Sequence, residues 1–184
     1  TVKYVITPLE NSNDYSLMLQ SEGTTGYYVI DDNGDETIHL ASGLIEGQLY
    51  TLNEVSAPKE YVKAQPIEFE VTNEKVNQSV SMIDKQLEVS KIDITTGEEL
   101  AGAELTITDT EGNVIDEWTS KDDETHFATS LEEGKTYILT EVIAPNGFVT
   151  AESIEFTVST DKQTQKVVMK DKVVQITKTD VNGR

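Results

Sequence analysis

The sequence predicts an all-β chain: two tandem β-sandwich modules set end to end, followed by one extra strand. Three observations predict it. Short segments such as LEVSKI, AELTITD, KTYILTEV, SIEFTVS and QKVVMKD alternate apolar with polar residues or are rich in Val, Ile, Thr and aromatics. Turn signals such as TTGEE, TEGNV, LEEGK and APNGF separate them, and no stretch longer than two helical turns shows a helical period. Finally, YTLNEVSAP returns as YILTEVIAP, VSMIDK as VVMKDK and EVSKID as QITKTD, so that Glu54 and Glu141, Asp84 and Asp171, and Lys91 and Lys178 are each 87 positions apart. A fixed period of that size marks tandem modules.

Taken in order, the first module covers residues 1–85. Its opening strand is atypical. Counting back one period from Lys91 lands on Tyr4, and the alternation puts Val2, Tyr4 and Ile6 on one face with Lys3 on the other. A buried lysine of its own is therefore not expected there. The acidic tip DDNGDE follows, then the strand of Glu54, then VSMIDK with Asp84. The second module, residues 86–172, carries every expected part. Residues 173–184 (VVQITKTDVNGR) repeat its beginning and read as the first strand of a following module, or as a strand donated to a neighbouring chain. No Gly/Ser- or Pro-rich linker separates the modules, which favours a stiff rod.

Composition bounds the function. The formal net charge is −20, which argues against nucleic acid and anionic membranes as partners. No run of about 18 apolar residues exists to span a bilayer. Modules of this size bury a thin core and commonly need a staple. Disulfides are not available, because the chain has no cysteine. The chain begins at Thr1 without a signal peptide and reads as a piece of a longer extracellular protein.

The staple is foreshadowed by charge on the apolar side of strands. Residues of equal parity share a strand face. Lys91 goes with Leu87 and Val89, Glu141 with Tyr137 and Leu139, and Asp171 with Val167 and Met169. Glu54 goes with Tyr50 and Leu52, Asp84 with Val80 and Met82, and Lys178 with Val174 and Ile176. Unpaired charges in such stripes are expensive, so these groups are expected to meet. Burial favours the neutral forms of amines and carboxyls. A neutral amine beside a protonated carboxyl is a nucleophile beside an electrophile, and a second acid can carry the proton. Holding them at attack distance supplies about 7–11 kcal/mol of the barrier. The product is a side-chain amide, with water leaving.

The run VSKID…TGEELAGAEL…LTEVIAPNGF…IEFTV…VVMKD resembles the Cna-B (SpaA-type, prealbumin-like) repeats of Gram-positive surface adhesins and pilins, over residues 86–172 from end to end. The resemblance implies a reverse immunoglobulin-like sandwich in which a first-strand lysine, Lys91, bonds spontaneously to Asp171 with Glu141 assisting. It also implies a stalk or backbone role in a cell-wall-anchored adhesin or pilus. The first module matches from about Gly34 to Lys85, with Glu54 and Asp84 in place and the lysine motif missing. The lysine for Asp84 is left open between Lys3 and Lys178 of a neighbouring chain, the latter giving head-to-tail self-association through residues 173–184.

Rival readings are weaker. Asp31, Asp32 and Asp35 are candidate calcium ligands without EF-hand spacing. His39 and His126 also recur one period apart but lack Cys or clustered acids for a metal or nucleophilic site. Trp118, Phe127 and Phe148 suit packing better than a ligand platform. A module binding host extracellular matrix protein or glycan needs an exposed apolar patch. No motif supports an enzyme beyond a single-turnover self-reaction, and no cofactor is implied.

Overall fold

A computed structural model describes residues 2–6, 16–21, 30–32, 39–41, 44–72 and 78–179. Among them the chain is all strand and loop. The strands are β1 (Val2–Ile6), β2 (Ser16–Ser21), β3 (Ile30–Asp32), β4 (His39–Ala41), β5 (Leu49–Ser56), β6 (Ile67–Glu70) and β7 (Gln86–Asp93). They continue with β8 (Glu104–Asp109), β9 (Val114–Thr119), β10 (His126–Phe127), β11 (Thr136–Ile143), β12 (Phe148–Val149), β13 (Ile154–Thr157) and β14 (Thr164–Val173). Contacts divide the chain into two compact units. One contains Thr1–Gln86 with Thr129–Lys135 and Val158–Thr164; the other contains Leu87–Ala128, Thr136–Thr157 and Gln165–Arg184.

The second repeat is built from two four-stranded sheets, ordered β13-β11-β8-β9 and β10-β7-β14-β12. The sequence parity is realised: Leu87, Val89, Leu105, Ile107, Leu139 and Met169 are buried, and their strand neighbours are more exposed. The backbone bonds Gln86 N to Gln163 O and Ile94 N to Asp171 O advance equally along both chains, so β7 and β14 run parallel. The first and last strands of the repeat therefore lie side by side. Parallel neighbours need a long crossover, and the rest of the repeat is that crossover.

Among the described residues, the first repeat has a four-stranded sheet, ordered β1-β2-β5-β6, and the hairpin β3-β4. Tyr50 is its buried anchor, packed by Leu44, Leu52, Phe69 and Val71. Its ring pairs with Phe69 at 5.8 Å, as Tyr137 pairs with Phe156 at 6.1 Å one period later. The turns correspond as well. Tyr61 N donates to Pro58 O and Phe148 N to Pro145 O, each at 3.1 Å. The third turn residue has positive φ in both, 89° at Gly147 and 69° at Glu60. Only the glycine takes that conformation without a steric cost.

One sequence expectation is corrected here. VSMIDK was expected as a strand, but residues 78–84 have no strand assigned. A strand needs a ladder partner, and among the described residues this segment lies in none. Residues 173–184 were expected as the first strand of a following module or as one donated to a neighbouring chain, an expectation that concerns pairing beyond this chain; Val173 ends β14, and 180–184 lie outside the described residues.

Candidate cross-linking site

β7, β11 and β14 bring three ionisable side chains to one point inside the second repeat. Lys91 on β7 is 2% exposed and Asp171 on β14 is 1% exposed, with Glu141 on β11 also buried. Lys91 Nζ donates a hydrogen bond to Asp171 Oδ1 and lies 3.0 Å from Glu141 Oε1. Glu141 belongs to the opposite sheet, so the contact spans the sandwich. Its other oxygen, Oε2, accepts the Ala151 N–H at 2.7 Å, which fixes the carboxyl plane. Asp171 Oδ2 is buried and has no hydrogen-bond partner.

Burial pushes the Asp171 carboxyl above the usual range; the Lys91 ammonium opposes this, and the adjacent Glu141 adds to it. Desolvation thus favours a protonated Asp171, whose Cγ is an electrophile beside the Lys91 nitrogen. The arrangement would permit condensation: attack of the amine on Cγ would form a C–N bond and break a C–O bond with loss of water, and Glu141 is within reach to carry the proton from nitrogen to the departing oxygen.

Sequence reasoning missed two features. Glu99 accepts the Lys91 backbone N–H through Oε2 at 3.0 Å, and Leu100 N donates to Lys91 O, so the TGEEL segment holds the lysine strand from its edge. The only prior signal was the proximity of that segment to the lysine motif. A cavity of about 100 Å³ also adjoins Lys91, lined by Val89, Glu99, Trp118, Ser120 and His126. It is large enough to hold water. His126 forms one wall, stacked on Trp118 at 3.9 Å and paired to Asp116 at 2.8 Å.

In the first repeat the acids recur. Glu54 on β5 is 3% exposed and accepts the Ala64 N–H at 2.6 Å. That reproduces the Glu141–Ala151 clamp one period earlier. Burial raises the Glu54 carboxyl against the Ala64 bond, with the Asp84 charge raising it further. Burial also raises Asp84, offset by a hydrogen bond with Glu54. The two acids therefore sit together. The lysines do not join them in the same way. β1, which carries Lys3, pairs with β2 in the register Lys3↔Gln20. It holds the edge position that β9 holds in the second repeat, not the position of β7. Lys178 is exposed.

Asp31 and Asp32 lie in β3, where Asp32 pairs with His39 of β4. Asp35 is outside the described residues. Among the described residues no three His, Asp or Glu side chains gather as a metal site, and no helix is long and apolar enough to cross a membrane.

Residues 9–86 and 85–173 each match the family model of the SpaA prealbumin-like fold domain. The chain belongs to that family. It consists of two tandem SpaA-type domains and is all-β. Solved structures include similar chains. The TIE protein of Bacillus anthracis is 23% identical at TM-score 0.40, over 80% of this chain and 30% of that one. The shaft pilin SpaA of Lactobacillus rhamnosus GG is 12% identical at TM-score 0.40, over 70% of this chain and 66% of that one. A C-terminal fragment of the pilus adhesin SpaC from the same organism is 18% identical at TM-score 0.43, over 78% and 82%. The chain thus spans less than a third of the anthrax protein and about two thirds of the shaft pilin. No curated protein matches.

Proposed function

We propose that this chain is a load-bearing stalk segment of a Gram-positive surface adhesin or pilus, and that its second repeat closes a Lys91–Asp171 amide without any enzyme. The observation that carries the reading is the buried contact of Lys91 with Asp171 and Glu141. A buried ionic cluster of this kind is a poor source of stability by itself, because desolvation offsets the attraction. Condensation removes two of the three charges. It also closes a long loop between adjacent parallel strands, restricting the unfolded chain by about 4–5 kcal/mol on the disulfide analogy. In this reading Glu141 returns to its starting state, and the repeat reacts once per molecule. Residues 1–85 and 86–172 are the two modules of the stalk, sited outside the cell.

Intact-mass measurement after denaturation tests it. The chain should lack the mass of one water, and Lys91→Ala should restore that mass. A full-mass wild-type chain would refute the proposal.

A further inference from the structure

One flank of Lys91 is closed by side chains rather than by a strand. β10 pairs with β7 through His126↔Val89 and Phe127↔Glu88. Carried on, that register would set Glu124 opposite Lys91, but Glu124 bridges Lys121 instead. Lys91 therefore lies just past the end of β10, and its backbone N–H is met by the Glu99 carboxylate at 3.0 Å. Beside this point is the cavity of about 100 Å³ that touches Lys91. Its lining includes Thr119, Lys121 and Glu124, all exposed, so it opens to solvent.

Two edge strands meet across this gap. β9 ends the sheet β13-β11-β8-β9, and β10 ends the opposite one. Trp118 is in register with Leu105, and Leu105 with Glu141, so the three share the inner face. Asp116 is in register with Ile107 and Leu139, both fully buried, and faces inward as well. From the other sheet His126 stands opposite the buried Val89. Its ring is stacked 3.9 Å from that of Trp118, with 11° between the planes. Its Nε2 donates to Asp116 Oδ2 at 2.8 Å. The two sheets are thus tied together along the edge that borders Lys91.

Condensation itself draws on Lys91, Asp171 and Glu141. What the edge contact supplies is dryness. The reaction needs a neutral amine and a protonated acid, and burial is the largest cause of the raised Asp171 carboxyl. Bulk water admitted between β9 and β10 would favour the charged form of both groups.

We infer that the Trp118–His126–Asp116 contact is the water seal of the cross-linking site, and that His126 is a positioning residue for the Lys91–Asp171 condensation. This rests on the amide chemistry proposed above. His126 acts through Trp118: the stacked rings form one wall of the cavity and keep the edge of the sandwich shut. With the rings parted, solvent enters from the cavity onto the face that carries Lys91.

The test follows amide closure in the 184-residue chain made by cell-free synthesis, sampled into acid and read by intact mass. His126→Ala and Trp118→Ala should each slow the loss of water about tenfold. That is the effect on the share of protonated carboxyl if about one unit of its displacement is given back. The double variant should be no slower than either single one, since the same contact is broken. His126→Phe, which keeps a ring on Trp118, should recover most of the rate. Phe156→Leu cuts the core at β13, the far edge of the sheet; closure among its protease-resistant chains should run at the wild-type rate. Trp118 is the single tryptophan of the chain, so acrylamide quenching reads the seal directly. Quenching should be weak in the wild type and strong in His126→Ala. Strong quenching in the wild type would overturn the inference, as would equal slowing by Phe156→Leu or no recovery in His126→Phe. Closure at the wild-type rate in His126→Ala would also overturn it, while leaving the Lys91–Asp171 amide standing. A wild-type chain that never loses water removes both.

Discussion

The two repeats share a period, a Tyr–Phe core pair, a Pro-initiated turn and a glutamate that clamps a backbone N–H, yet among the described residues the later one alone shows a second four-stranded sheet. VVMKDK lies in a ten-residue strand, whereas VSMIDK, with the same parity and nearly the same residues, forms none. Local propensity cannot account for that difference. The strand of Asp171 has β7 beside it, and among the described residues no strand pairs with the segment of Asp84. β-structure here is a property of pairs.

The largest test of this contrast removes the later lysine. Lys91→Ala should cost the second repeat the cross-link, about 4–5 kcal/mol, and lower its melting temperature by roughly 20–30 °C. That would bring it down towards the first repeat, and calorimetry would show the two transitions converge. A second repeat that melts unchanged would break the contrast.

A smaller effect follows from the acids of the first repeat. Burial raises both Glu54 and Asp84 in the folded state. Raised carboxyl values mean that the folded form binds these protons more tightly than the unfolded form. Their contribution therefore grows as pH falls through the folded values towards about 4, where unfolded carboxyls also titrate. It is lost as pH rises. Thermal melts from pH 7 down to 5 should show the first transition rising. The double variant Glu54→Gln with Asp84→Asn should flatten that rise relative to wild type, separating it from the relief of general negative charge. An unchanged slope in the variant would remove these two acids from the account.

The smallest test concerns the shared turn. Glu60 holds a φ of 69° where the second repeat has Gly147. Glu60→Gly should stabilise the first repeat by about 0.5–1 kcal/mol, the left-handed strain relieved less the entropy cost of glycine. Chemical denaturation would measure it, and destabilisation would show that the two turns are not equivalent.

Much of this was legible before the fold. Strand parity placed Lys91, Glu141 and Asp171 on inward faces because side-chain alternation is a local rule. The period likewise paired Glu54 with Glu141. What parity cannot supply is which strands become neighbours. VKYVI reads as a strand, but nothing local says that β1 lies against β2 in the place of β9, or that Lys3 is thereby carried to the other sheet. The Glu99 clamp on Lys91 was equally hidden, since a side chain bonding a backbone N–H across a loop leaves no periodic trace.

The parallel course of β7 and β14 has a mechanical outcome once the amide is closed. Tension entering at Gln86 and leaving at Val173 crosses directly from Lys91 to Asp171. Only residues 86–91 and 171–173 can pay out, about 30 Å, against about 300 Å if the whole repeat unravelled. Such a link would yield about a tenth of the length an unsealed repeat can, so most of any cushioning against sudden flow would come from repeats without the amide.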